Sequence, residues 1–190
     1  MAGVDSDEVL MQRVQRGDFA MFEELVRRYR QPLLRVAASK LQDLALAEDA
    51  VQDSLLAAFA ARATFNARFA FRTWIWTITL RRCHLLARQR QRGRCGQIVG
   101  GSDQAESAIS CEQDALAGLL KSEQAEWLQQ LLAELPEVQA DAIRLRFFGG
   151  LSFEDVAQAM NSSVSGAKQR VRLGLERLSL RCRALSGVEQ

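Results

Sequence analysis

Apolar residues recur at three- and four-residue intervals along almost the entire chain, and no convincing apolar–polar alternation interrupts them. The runs are Val9, Leu10, Val14; then Phe19, Phe22, Leu25, Val26, Tyr29; then Leu33, Leu34, Val36, Ala37, Leu41. A repeat of roughly 3.6 residues gathers such side chains on one stripe of a helix, whereas a half-buried strand needs strict alternation. The pattern confines the chain to an all-α fold. Gly17 ends one run, and Asp18 and Asp43 each stand just ahead of the next, where a carboxylate caps a helix N-terminus. Helices are predicted near residues 7–16, 19–41, 44–62 and 70–90.

From Gly93 to Ala115 the periodicity lapses into a stretch rich in Gly, Ser and Gln, which reads as a flexible linker. Beyond it Leu116, Leu119, Leu120, Trp127, Leu128, Leu131, Leu132 and Leu135 restart a helical stripe. Pro136 breaks that stripe and suits the first turn of another helix. The predicted organisation is therefore two small helical domains, 1–92 and 116–190, joined by a linker over 93–115. Domains of that size are marginal alone, so a bound partner would add to their stability.

Charge is distributed unevenly. The net charge is only +2, yet between Ser54 and Ser102 there are nine arginines and no Asp or Glu. Phe65, Phe69, Phe71, Trp74 and Trp76 are interleaved with Arg62, Arg68, Arg72, Arg81 and Arg82. Cations follow a phosphate backbone and release its counterions, while exposed rings offer faces to unstacked bases. A single-stranded or melted nucleic acid is the partner this stretch predicts, with Phe65, Phe69, Trp74 and Trp76 as stacking candidates and Arg68, Arg72, Arg81 and Arg82 for the backbone. The competing reading, rings filling a helical core beside an ordinary solvated face, stays open for both tryptophans. Of the two, Trp74 is the more core-like, because Phe71 and Ile78 share its helical face.

Near the C-terminus, Leu151–Leu178 reads as a helix-turn-helix. Gly149-Gly150 closes the preceding helix. Ser152 and Asp155 form a capping-box pattern ahead of an apolar face of Phe153, Val156, Ala157 and Met160. Asn161 tolerates the left-handed turn, and Ser163 caps a second helix carrying Lys168, Gln169, Arg170 and Arg172. In such a motif the second helix enters the DNA major groove, where Arg and Gln reach guanine and adenine edges. Lys168 and Arg172, one turn apart, are assigned to the groove side, Gln169 to an adenine, and Arg170 to a phosphate.

No nucleophile, metal cluster or glycine-rich phosphate loop stands out, so no enzymatic activity, metal or cofactor is expected. Cys83, Cys95, Cys111 and Cys182 form no CxxC pair with which His84 could close a metal site, and they read as reduced intracellular thiols. Cys95 and Cys111 lie in the expected linker, where any redox switch would have to act. Met1–Leu10 is acidic without an apolar core, unlike a signal peptide, and the run Trp74–Leu80 is too short to span a bilayer. The expected location is cytoplasmic.

Four segments in order, Val14–Ala37, Leu46–Phe59, Phe71–Ile78 and Glu134–Met160, together with the Lys168/Arg170 helix, resemble bacterial RNA polymerase sigma factors of the small extracytoplasmic-function (ECF) type in the sigma-70 family. The resemblance implies sigma domains two and four, the promotion of promoter recognition and DNA melting, and no catalysis. It implies that Glu48, Asp49, Gln52 and Asp53 meet the beta-prime clamp helices of the polymerase core. It implies that Phe65, Arg68, Phe69, Arg72, Trp76, Arg81 and Arg82 meet the minus-ten element. Ser163, Ser165, Lys168, Gln169, Arg170 and Arg172 correspond to the minus-thirty-five reader. Contact with the beta flap and an anti-sigma factor are implied as well. Where family members often carry Asn and Asp after the Phe-Arg-x-Trp stretch, this chain carries Arg81 and Leu85. A free-standing helix-turn-helix regulator and a helical adaptor for acidic partners remain as alternatives.

Overall fold

In the computed structural model, residues 5–96 and 124–185 are described. Helix α1 (Asp7–Gln15) starts where the Ser6 hydroxyl accepts from the Val9 N–H at 3.4 Å, and Asp7 and Glu8 favour the positive end of its dipole. Gly17, at φ +102°, turns the chain into α2 (Ala20–Leu41). Asp18 does not cap that helix: its carboxylate is held by Arg13 at 2.8 Å, and the ion pair replaces the cap. Asp43 does cap α3 (Leu44–Ala60), accepting from the Leu46 N–H at 3.0 Å. A short 3-10 turn, Arg62–Thr64, leads to α4 (Phe71–Gly96), so residues 93–96 of the expected linker continue a helix. The remainder of that linker, with Cys111, lies outside the described residues.

Residues 124–133 are helical (α5), and Pro136 stands at the N-cap of α6 (Glu137–Ile143). The helix then widens into a π turn, Arg144–Phe148. Gly149 and Gly150 reverse the chain, the latter at φ +64°, where a Cβ would be strained. Helix α7 (Phe153–Ala159) opens on the complete Ser152/Asp155 capping box. Asn161 at φ +48° makes the left-handed turn into α8 (Val164–Leu185), whose first turn Ser163 caps through the Gly166 N–H at 3.1 Å.

The described residues form helices and the turns between them, and α1–α4 pack around Leu25, Leu33, Val51, Ile75 and Trp76. The same apolar cluster continues through Ala142, Leu145, Leu151, Val156, Ala167 and Val171 of the C-terminal half. Helix α4 packs against α2 and α3 on one side and α7 on the other. A Cβ on Gly149 would lie 3.0 Å from the Trp76 ring, so the turn between the π segment and α7 is built for close approach to α4.

Candidate nucleic-acid interface

The acid-free stretch forms the segment before α4 and α4 itself, and its first cap comes from elsewhere: the Phe71 N–H donates to Glu8 of α1 at 3.0 Å. Asn66 accepts from the Arg68 N–H at 3.0 Å, a local turn that leaves Phe69 exposed. Between this turn and α4 lies a pocket of about 280 Å³, lined by Phe65, Phe69, Thr73, Trp74, Thr77 and, from α7, Gln158. Its walls are aromatic and its rim polar, and its size suits one planar heterocycle.

The rings sort differently from the sequence expectation. Trp76 is 1% exposed and packed in the core, so its assignment to a minus-ten contact is corrected for this conformation: it presents no face to a ligand. Trp74, expected to be core, is only partly buried and walls the pocket. Phe65 is 6% exposed, packed at 5.2 Å from Trp74 and 5.8 Å from Phe71, so it supports the pocket wall and cannot stack freely. The reason is that α4 is covered on two sides. One stripe of Phe71, Ile75 and Thr79 meets α2 and α3, leaving no exposed side for Trp76 once α7 and its preceding turn arrive.

The arginines sort as well. Arg68 and Arg81 are exposed. Arg72 donates to the Gly150 carbonyl at 2.8 Å and approaches that of Gly149 at 3.4 Å. Arg82 is paired with Asp53, a half-exposed contact that joins α3 to α4. Arg72 Nε and Trp76 Nε1 are buried without an acceptor among the described residues, a cost of about 1–3 kcal/mol for each such donor.

On α3, Glu48, Asp49 and Gln52 are exposed. Beside Glu48 and Gln52 runs a groove of about 440 Å³ between α2 and α3, floored by Val26, Leu34, Val51, Leu55, Leu56 and Phe59. Leu56 is 59% exposed. The groove was missed in the sequence, although apolar residues on more sides of α3 than one core requires were the available signal.

At the start of α8, Ser163, Ser165, Lys168, Gln169 and Arg172 are exposed and Arg170 is half-buried. Ser163 is engaged in its cap. The Lys168 ammonium lies 5.8 Å from the Phe153 ring, which also carries the Arg146 guanidinium at 5.0 Å. Arg172 pairs with Glu176 at 3.0 Å, an exposed contact that yields readily to a phosphate or a base.

A cluster not anticipated from the sequence joins the halves. Lys40 of α2 contacts Asp141 at 2.8 Å and Glu137 at 2.8 Å, His84 of α4 meets Asp141 at 2.8 Å, and Arg144 reaches Asp141 at 3.2 Å. Ser39 accepts from Arg144 at 3.1 Å and donates to Gln129 at 2.8 Å. Burial alone would raise the Asp141 carboxyl; His84, Lys40 and Arg144 outweigh it and hold the group below the ordinary carboxylate range. His84, Glu137 and Asp141 carry metal-ligand chemistry within 4.8 Å of one another, but the Lys40 ammonium already supplies the cation among them. Beneath the cluster Cys83 is buried, and desolvation pushes its thiol up to about 11.

Residues 25–93 match the family description "Sigma-70 region 2" and residues 125–178 match "Sigma-70, region 4". The chain is 29% identical to the RNA polymerase sigma-H factor of Pseudomonas aeruginosa over 171 residues, covering 88% of this chain and 89% of that protein. It is 30% identical over 178 residues to the ECF RNA polymerase sigma-E factor of Salmonella typhimurium, covering 87% and 88%. The fold is similar to that of CnrH, solved with the cytosolic domain of CnrY, at TM-score 0.72, 22% identity and coverage of 95% of this chain and 99% of that one. It is also similar to the sigma factor RpoE of Bartonella quintana, solved with the anti-sigma factor NepR, at TM-score 0.60, 24% identity and coverage of 89% and 98%.

Proposed function

Because this chain belongs to the ECF sigma factors of the sigma-70 family and directs RNA polymerase in transcription initiation, we propose that its two halves share the work of promoter recognition. Residues 1–92 bind the polymerase core and the minus-ten element, and residues 116–190 read the minus-thirty-five element. Family membership leaves no role for the free-standing regulator or the adaptor. The chain acts by binding and deforming DNA and catalyses nothing, and it works where the polymerase is, in the cytoplasm.

The observation that carries the minus-ten assignment is the pocket before α4. Taking a base out of the stack costs a few kcal/mol, which stacking of about 1–3 kcal/mol per base offsets. The walls formed by Trp74 and Phe65, with the exposed Phe69 at the mouth, support one extruded base, and Arg68 and Arg81 are exposed cations for the adjoining phosphates. Thr77 on the pocket wall offers its hydroxyl oxygen as an acceptor to a base edge, its proton being given to the Thr73 carbonyl at 2.9 Å. On α8, Lys168 and Arg172 face the groove, Gln169 reads an adenine, Arg170 contacts the backbone, and Ser165 adds a short donor.

The exposed face of Glu48, Asp49 and Gln52, beside the apolar groove of α2 and α3, is the proposed dock for the beta-prime clamp helices. An apolar floor rimmed by Glu48 and Arg30, with the exposed Asp49 on the same helix as Glu48, fits an amphipathic helix. The beta flap and an anti-sigma factor are further proposed partners, the latter supported by two fold neighbours solved with bound proteins. The test is nuclease protection and permanganate reactivity on a cognate promoter. Protection requiring core enzyme and thymine reactivity at the minus-ten element are expected; protection by the chain alone, or reactivity unchanged by Trp74→Ala with Phe69→Ala, would overturn the assignment.

A further inference from the structure

The chain between Arg62 and Phe71 walls the base pocket, yet the bonds it makes within itself are local. The Phe65 N–H reaches the Arg62 carbonyl at 3.2 Å, the Phe69 N–H reaches that of Asn66 at 3.0 Å, and the Asn66 side chain takes the Arg68 N–H. Ala70, directly ahead of α4, has no side-chain oxygen with which to cap that helix. Helix α1 supplies both missing restraints. The Gln15 amide donates to the Arg62 carbonyl and to the Phe65 carbonyl, each at 2.8 Å, and Glu8 accepts from the Phe71 N–H at 3.0 Å.

We propose that Gln15 and Glu8 are positioning residues for base capture, holding the two ends of the pocket loop at a fixed separation. The inference rests on the minus-ten reading above and adds residues outside the pocket lining. Gln15 and Glu8 stand two turns apart on one face of α1, about 10 Å along its axis. Gln15 fixes the backbone that carries the Phe65 ring, and Glu8 fixes the first turn of α4, which carries Trp74. Those two rings lie 5.2 Å apart. A site of this kind works when its groups are held to within about 0.5 Å by neighbours that are themselves fixed.

Helix α1 is anchored well enough to serve. Leu10, Met11 and Val14 are buried, and Asp7 takes the Arg28 guanidinium at 2.6 Å and the Tyr29 hydroxyl, both from α2. The Tyr29 ring in turn meets Phe71 edge-on at 5.4 Å. The side chains that reach the loop are chemically exacting in different ways. Both bonds of Gln15 leave from one NH2 group, so a glutamate there would set a carboxylate against two carbonyls. Glu8 needs an acceptor alone, which a glutamine retains. Gln15 is exposed, so its removal opens no cavity in the core and acts on the loop alone.

The experiment assembles holoenzyme from core polymerase and the full-length chain. It measures anisotropy of a labelled single strand carrying the minus-ten sequence of a cognate promoter, with each base in turn replaced by an abasic site. Binding should fall most at one position, and the ratio of intact to abasic affinity there measures base capture. Gln15→Ala is expected to reduce that ratio about fivefold, the order set by two exposed hydrogen bonds, and Gln15→Glu to reduce it further. Glu8→Ala should reduce it about threefold, whereas Glu8→Gln, which keeps the cap acceptor, should preserve it. Capture of core polymerase and binding to duplex minus-thirty-five DNA should be unchanged in each variant. An undiminished ratio in Gln15→Ala, or equal weakening on intact and abasic strands, would overturn the positioning role. Failure of the parent reading looks different: the unmutated chain would then bind every abasic strand as tightly as the intact one.

Discussion

Helices α4 and α8 are both rich in arginine, yet they present their charge in opposite ways. On α4, Arg72 is bound to carbonyls of the opposite half, Arg82 to Asp53, and Arg90 to the Leu41 carbonyl at 3.0 Å. On α8 the N-terminal cations Lys168 and Arg172 are exposed and Arg170 is half-buried, with Arg172 held by an i,i+4 partner. A count of positive residues treats the two alike. The difference lies in what packs against them: α8 lies at the edge of the C-terminal half, while α4 is enclosed by α2, α3 and α7. One basic surface stands mostly open to solvent, and much of the other is engaged with the protein itself.

The largest expected effect separates the two tryptophans of α4. Trp76→Ala should cost about 3–5 kcal/mol of stability, as removal of a fully buried large ring does, and a denaturant titration checks it. Trp74→Ala should leave most of that stability in place and instead cost about 1–3 kcal/mol in open-complex formation. If Trp74→Ala proved as destabilising as Trp76→Ala, the contrast between a core ring and a pocket ring would be lost.

Of similar size, but confined to α8, is the split between Arg172 and Arg170. Arg172→Ala should lose about 1–3 kcal/mol and relax preference at one upstream base pair, whereas Arg170→Ala should weaken all sequences alike and reduce the salt slope by about one. Binding to a promoter series carrying single-base changes, repeated across salt, distinguishes them. Uniform loss for Arg172→Ala would place it on the backbone.

Acid sharpens the comparison further. The carboxyls of Asp141 and Glu137 are held below their ordinary values, so their stabilisation is full above the ordinary carboxylate range and is lost as pH falls through the lowered values. Contacts around α4 should therefore weaken in acid more than the α7–α8 packing, an order that hydrogen exchange across pH would report. Asp141→Asn should remove much of that difference.

The smallest effect concerns the exposed acids of α3. Glu48→Lys with Asp49→Lys should change stability by no more than about 0.5 kcal/mol while weakening capture of core polymerase. Asp53→Lys is a poorer probe, because it sets a lysine against Arg82.

Local chemistry made much of this fold legible. The caps at Ser152, Ser163 and Asp43, and the left-handed turn at Asn161, depend on neighbours a few residues away, and the sequence displays those neighbours together. Asp18 escaped the same logic because Arg13, outside the capping pattern, competes for its carboxylate. Which ring of α4 is buried was not legible, since the answer depends on a glycine turn more than seventy positions away touching Trp76. Nor was the cluster at Asp141, whose members Lys40 and His84 are remote in sequence and individually ordinary.

The buried thiol of Cys83 gives this arrangement a clock. Alkylation requires a thiolate in contact with water, and desolvation denies Cys83 both by burying it and by pushing its ionisation up to about 11. Labelling therefore proceeds only during excursions that bring solvent beneath Lys40 and Asp141, at a rate set by how often they occur multiplied by the reactivity of a free thiol. Peptide mass spectrometry can follow this one cysteine among the four, without a mutation or an attached probe, and so turns the exposure of α4 into a measurable frequency.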